Sequence, residues 1–363
     1  MSTRTTQKCF SLLLTSLVSM AALGQGAVTL PRVPSPAATV SQTIGISTVS
    51  VKYSRPSVRN REIWGMQVPY GLNIQGFGAG NPAPWRAGAN ENTVIQFSHP
   101  ATVEGKPVAA GSYGLFFVVN NDNTGEVILS KDYQSWGSFW YDPKQDLFHA
   151  KIQLRDIPQT ELLTYDFINI TKNSADLVLN WDKKQFPVKV AFDVDEIVMA
   201  NAAQELKGSI GFTSTGFSSA AGYAAQNNVH LDEGLIWIDK AIATNKTFTT
   251  LSIKANILKE TGKAEEAEKI MKDATVLASE NELNNYGYQL IAEKKYDQAI
   301  EILILNTQRN PQSPNVWDSL GEAYATKGDK KNAIINFKKS LSMNPPENVR
   351  ANSEKFLKQL GTE

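Results

Sequence analysis

Pro314-Asn-Val-Trp317-Asp-Ser-Leu320-Gly321-Glu-Ala-Tyr324-Ala-Thr-Lys-Gly328-Asp-Lys-Lys-Asn-Ala333-Ile-Ile-Asn-Phe337-Lys-Lys-Ser-Leu-Ser-Met-Asn-Pro345 decides the fold of the C-terminal half of this 363-residue chain. Two helix-length stretches flank Gly328, whose missing side chain permits the left-handed turn that ends a helix. Gly321 and Ala333 are the small residues of the unit. The same pairing recurs upstream about every 33 residues: Gly287 with Ala299, Ala255 with Ala267, and Gly222 with Gly234. Close packing explains the choice. The two helices of a unit touch at the first small residue and the next helix touches at the second, so a larger side chain at either would drive the backbones apart. Trp317, Tyr324 and Phe337 fill the spaces between layers. The helices that follow the turns are amphipathic, as in Ala264-Glu-Glu-Ala-Glu-Lys-Ile-Met271.

The positions Trp317, Leu320, Gly321, Tyr324, Ala333, Phe337 and Pro345 resemble the tetratricopeptide pattern. The resemblance implies a right-handed stack of about four repeats over 220–363, closed by a capping helix at 347–360, with a concave face that holds proteins or peptides. On this sequence that face comprises Thr249, Ser252, Asn256 and Lys259 from the second repeat. The third repeat adds Asn281, Asn284, Tyr288 and Ile291, and the fourth adds Asn315, Asp318 and Glu322. The result is an amide-rich groove with an acidic end. It lacks the lysine and arginine pairs by which some relatives clamp a C-terminal carboxylate. The groove's other possible occupants are the chain's own N-terminal domain and a second copy of the chain.

From about 41 to 198 the apolar period is two instead of 3.6, the mark of strands. Val49, Val51 and Tyr53 alternate with polar residues, and so do Val127–Leu129 and Ile152–Leu154. Asp176-Leu-Val-Leu-Asn-Trp-Asp182 and Phe186-Pro-Val-Lys-Val-Ala-Phe-Asp193 read as two strands of a hairpin joined through Asp182–Gln185. The fold class expected is therefore α+β in two domains: an antiparallel β-sandwich-like domain over 41–200, a Gly/Ser/Thr-rich linker over 201–219, and an all-α solenoid.

Residues 1–24 read as a signal peptide: Arg4 and Lys8, an apolar run from Phe10 to Leu23, and small Ala22 and Gly24 before Gln25. The run falls short of the ~20 apolar residues that span a bilayer. A flexible, proline-bearing segment over 25–40 follows. The single cysteine, Cys9, lies in the signal, so the mature chain has no thiol and no disulfide. Without Arg4 and Lys8 the chain carries 34 basic and 36 acidic residues, a net charge of −2. That balance does not suit nucleic acid, which needs a basic face. A periplasmic or secreted protein without a transmembrane segment after cleavage is expected.

A second resemblance covers roughly 45–195. Tyr53-Ser-Arg-Pro56, Arg61-Glu-Ile-Trp-Gly65 and Val68-Pro-Tyr-Gly71 recur in order with Trp85-Arg86, Gly88-Ala-Asn-Glu91, Ala110-Gly-Ser-Tyr-Gly-Leu-Phe116, Trp136-Gly137 and Tyr141-Asp142. Together they are similar to the exported bacterial domain-of-unknown-function family numbered 2911. That family brings no reaction or catalytic residue to transfer, and its members often carry helical repeats after this domain. One departure stands out. Leu72–Pro84 intervene where the family runs almost directly from Pro-Tyr-Gly to Trp-Arg, and the insert can reshape any site near Trp85. Its glycines precede Pro82 and Pro84 instead of a helix and form no dinucleotide fingerprint.

The candidate ligand site is Arg55, Arg61, Trp64, Trp85, Arg86, Asn90 and Glu91. Arginines beside tryptophans hold a carboxylate or phosphate in a fork while a ring stacks on an apolar or sugar face. The competing reading is an Arg86–Glu91 or Arg55–Glu91 ion pair that fixes loops. Glu91 with Asp142 supplies the carboxylates for a hydrolase acting on envelope carbohydrate or peptide. Trp136, Trp140 and Tyr141 read as rim or core packing before they read as a sugar platform. His99, His149 and His230 stand in no ligand spacing, so neither metal nor cofactor is expected. The leading expectation is a non-enzymatic binding or scaffold protein; the alternatives are that hydrolase and a structural protein that oligomerises through its repeats.

Overall fold

The computed structural model describes residues 34–362; the expected signal peptide and the segment 25–33 lie outside them. Twelve strands come first: β1 (Ala37–Ile44), β2 (Ser47–Ser54), β3 (Asn73–Ile74), β4 (Pro82–Ala83), β5 (Val94–Phe97), β6 (Ala101–Val103), β7 (Lys106–Val108), β8 (Gly111–Val119), β9 (Thr124–Ser130), β10 (Asp146–Gln153), β11 (Arg155–Ile168) and β12 (Ser174–Ala191). They form a six-stranded sheet in the order β1-β2-β5-β8-β9-β10, a four-stranded sheet in the order β11-β12-β6-β7, and the small pair β3-β4. All the strand pairings are antiparallel.

The two larger sheets share one core. Val49, Val51, Ile95, Leu115 and Phe117 of the first meet Leu163, Leu177, Phe186 and Val188 of the second. β2 alternates as a one-sided strand should, with Ser47, Val49, Val51 and Tyr53 buried. In β8 the run Gly114–Val119 is buried on both faces. A second small core of Ala83, Phe116, Val118, Ile128 and Tyr141 covers its outer side. Continuous apolarity instead of alternation is the signature of such a strand.

The hairpin expected at Asp182–Gln185 is not formed. Ser174–Ala191 is one continuous strand. Asp182 takes a positive φ of 50° and sits at a register shift opposite Thr160, while pairing resumes at Lys184↔Asp156 and Gln185↔Arg155. A bulge bends the strand without reversing it. Pro187 accordingly lies inside β12, between its pairing with β11 and its pairing with β6 at Val190 and Ala191, where no ladder hydrogen bond is asked of its nitrogen.

The helices are α1 (Val194–Glu205), α2 (Ser214–Asn227), α3 (Leu231–Thr244), α4 (Phe248–Glu260), α5 (Ala264–Leu277), α6 (Glu280–Ala292), α7 (Tyr296–Arg309), α8 (Pro314–Lys327), α9 (Lys330–Leu341) and α10 (Glu347–Gln359). From α2 to α9 they stack as four hairpins, with α10 packed on α8 and α9. Crowding at the small residues is measurable. A β-carbon on Gly287 would stand 2.7 Å from Leu303, and one on Gly321 2.9 Å from Phe337. At Gly222 the nearest atom is Ile253 at 3.7 Å, an ordinary contact. The four tight turns place Asn228, Gly262, Lys294 and Gly328 in the left-handed region, so one backbone device ends every first helix even where glycine is absent.

The helical character of Val198–Leu206 belongs to α1, and the expected linker over 201–219 holds the end of that helix, a 3-10 turn over Ser209–Phe212 and the start of α2. Val194 belongs to the β-domain core and Met199 to the core of the first repeat, so α1 is anchored in both. Around it Lys172 reaches Asp195 at 3.0 Å and Asn227 at 2.8 Å, Tyr223 donates to Asp195 at 2.6 Å, and His230 meets Glu196 at 2.6 Å. No helix among the described residues is long and apolar enough to cross a membrane.

Candidate functional site

A cleft of about 480 Å³ opens at one end of the β domain. The loop after β2, the insert carrying β3 and β4, the Trp85–Asn90 loop and Trp181 of β12 build it. Its floor is aromatic. Trp85 and Trp181 stack with centroids 5.7 Å apart and planes 16° apart. Trp64 meets both edge-on at 5.9 and 6.0 Å, and Phe186 packs beneath at 5.3 Å from Trp64. The indole Nε1 groups of Trp64 and Trp181 are buried without a hydrogen-bond partner among the described residues. The insert makes one wall by strand alternation: Asn73 and Gln75 line the cleft half-buried, while Leu72 and Ile74 face solvent. Gly78 packs so tightly on the carbonyl of Phe139 that no side chain fits there, and Ala79 donates to that carbonyl at 2.8 Å.

Of the predicted ligand residues, the cleft brings together Arg61, Trp85, Arg86 and Asn90. Arg86 donates to the Asn90 carbonyl at 2.8 Å and lies 4.8 Å over the Phe139 ring; burial lowers its pKa. Arg61 is braced by the Val58 and Ser57 carbonyls and by Gln67 Oε1. Trp64 stands behind the floor. Arg55 is turned away from the cleft and is spent on β11, with Nε on the Leu163 carbonyl at 2.9 Å and Nη2 on Thr164 Oγ1 at 2.6 Å. Glu91 is half-buried and outside the lining. Asp142 caps the short 3-10 helix Pro143–Gln145 through the Lys144 nitrogen. Sequence reading missed Arg59, Gln67, Asn73, Gln75 and Trp181. Only the alternation of Asn73 and Gln75 with Leu72 and Ile74 carried a local signal.

Trp136 and Trp140 are half-exposed, the latter in edge contact with Phe77 at 6.0 Å. Tyr141 is buried and donates to Asp146. Asp146 also meets His149 at 3.0 Å. No group of His, Cys, Asp and Glu among the described residues is arranged to hold a metal ion.

On the helical stack, Asn256, Lys259 and Asn281 are exposed, and Asn284, Tyr288, Asn315 and Glu322 are half-buried. Tyr288 donates to Ser319 at 3.3 Å and Glu322 at 3.1 Å, and its own burial, first of all, raises its pKa. The carbonyl oxygen of the Asn284 side chain is buried and has no hydrogen-bond partner among the described residues. Lys259 pairs with Glu293 at 3.5 Å, and Thr249 donates to Glu282 at 3.2 Å. Asp318 is buried. It accepts from Asn352 at 2.8 Å and Ser353 at 2.5 Å of α10, and burial raises its pKa. The acidic end of the groove is thus partly covered by the capping helix.

Residues 35–190 match the family model described as a protein of unknown function (DUF2911), and residues 314–347 match the tetratricopeptide repeat. No curated protein matches the chain. Solved structures similar to part of the chain include pilF of Pseudomonas aeruginosa, 18% identical, covering 42% of this chain and 71% of that one with a TM-score of 0.30. MamA is 16% identical and covers 42% of this chain and 89% of its own at 0.30. YrrB, described as a TPR protein with an unusual peptide-binding site, is 15% identical over 45% and 89% at 0.29. At these scores the likeness carries no functional argument.

Proposed function

We propose that the chain is an exported, non-enzymatic scaffold that holds a protein or peptide segment on the concave face of its helical stack. The observation behind this reading is the row of amides on successive first helices. Asn256 and Asn281 stand in solvent, and half-buried Asn284 lies on the same helix as Asn281, its buried carbonyl without a partner among the described residues. Amides offer a donor and an acceptor at once, the complement of an extended peptide backbone. Export rests on the character of residues 1–24. The hydrolase alternative has less support, because Glu91 does not line the cleft and Asp142 is occupied as a cap.

A display library of random peptides selected on the full chain tests the proposal. Selected peptides should bind Asn256→Ala/Asn284→Ala at least about tenfold more weakly, roughly 1.4 kcal/mol, with the melting temperature nearly unchanged. Peptides that bind the double variant as tightly as the parent, or a library that yields none, would remove the groove from consideration.

A further inference from the structure

We infer that the β-domain cleft binds a sugar acid: a ring with hydroxyl groups and one carboxylate, of the uronic acid type. This goes beyond the peptide-holding reading and does not depend on it. Charge comes first. Among the described residues the lining contains Arg59, Arg61 and Arg86 and no aspartate, glutamate or lysine. Guanidinium groups match a carboxylate in a planar fork, and the half-buried Arg86 sits where water screens least.

The floor comes second. Trp85 is half-exposed and backed by Trp181, giving a rigid indole surface for the apolar C–H face of a ring. Trp181 lines the cleft at 3% exposure, and its Nε1–H has no acceptor among the described residues. A buried unpaired N–H costs about 1–3 kcal/mol and calls for an explanation; a ligand hydroxyl or carboxylate reaching the floor supplies one. Third, Gln67, Asn73 and Gln75 bring amide groups, which can donate and accept to ring hydroxyls. A free phosphate would fit these walls less well, because among the described residues no α-helix N-terminus reaches the lining. The cleft's size lies within the ordinary range for small-molecule sites, about 300–1,000 Å³.

The full chain should be titrated by calorimetry and indole fluorescence with galacturonic acid and its dimer and trimer. Galactose oligomers of the same length and inorganic phosphate serve as comparisons. Saturable uronate binding is expected, with a change in tryptophan emission and at least about tenfold preference over the neutral sugars. Arg59→Ala, at an exposed residue, should weaken it severalfold, and so should Asn73→Ala/Gln75→Ala. Arg86→Gln should weaken it most, provided circular dichroism shows the variant folded. The inference is overturned by no saturable uronate binding up to about 10 mM, by neutral sugar or phosphate binding as tightly as uronate, or by affinity unchanged in both Arg59→Ala and Asn73→Ala/Gln75→Ala.

Discussion

The two halves of this molecule meet the same requirement, dense burial, with opposite side chains. The β domain closes on large rings: Trp64, Trp85, Trp181, Phe117 and Phe186, drawn from distant strands and loops into one cluster. The helical stack closes on the smallest residues available, with Gly287 and Gly321 letting Leu303 and Phe337 come to the backbone. The difference teaches where each half is vulnerable. Truncation should harm the first, and enlargement the second. Damage to a single core spreads through its sheet, whereas damage to a repeat stays with its neighbours.

The strongest way to break this contrast is Phe186→Ala. Phe186 is fully buried and touches Trp64, Trp85 and Phe117. Its loss should cost about 3–5 kcal/mol, seen in denaturant unfolding as an early transition of the β domain as a whole. Enlargement within one column of the repeats sharpens it. Gly321→Val should destabilise by about 1–3 kcal/mol, with hydrogen exchange faster in α8 to α10 and unchanged in α2 and α3. Gly222→Ala, where the added carbon meets only Ile253 at 3.7 Å, should instead stabilise by up to about 1 kcal/mol through helix propensity. Equal signs at these two glycines would undo the crowding argument.

The smallest expected effect lies at the joint between the halves. The hydrogen bond to Glu196 raises the pKa of His230, so the folded value exceeds the unfolded one. The stabilisation is then complete below the unfolded value, about 6.5, and fades as pH rises through the folded one. Because the pair is exposed, the effect is modest. The gap in melting temperature between the parent and His230→Gln should shrink from pH 5 to pH 9; a constant gap would assign the residue no electrostatic role.

Legibility followed the same division. A repeat is local: its glycine, its partner and its turn lie within one short stretch, so the repeats could be read from spacing and their stacking from the pattern they resemble. The β domain is assembled from non-local pairings. Nothing near Trp181 announces that it will lie against Trp85, and nothing near Arg55 announces that Leu163 and Thr164 will take its guanidinium. Asp182-Lys-Lys-Gln185 has the polarity of a turn, yet β11 goes on pairing past it and holds it as a bulge. Motif order located the Trp85–Arg86 region, but only the folded chain showed that the insert supplies its opposite wall.

Helix α1 drives Val194 into one core and Met199 into the other. The cleft and the concave face are therefore joined through a helix that each core holds by one end. Were both surfaces occupied by one target, the second contact would form within the same complex, at an effective concentration set by the span of that joint and with no new contact surface required.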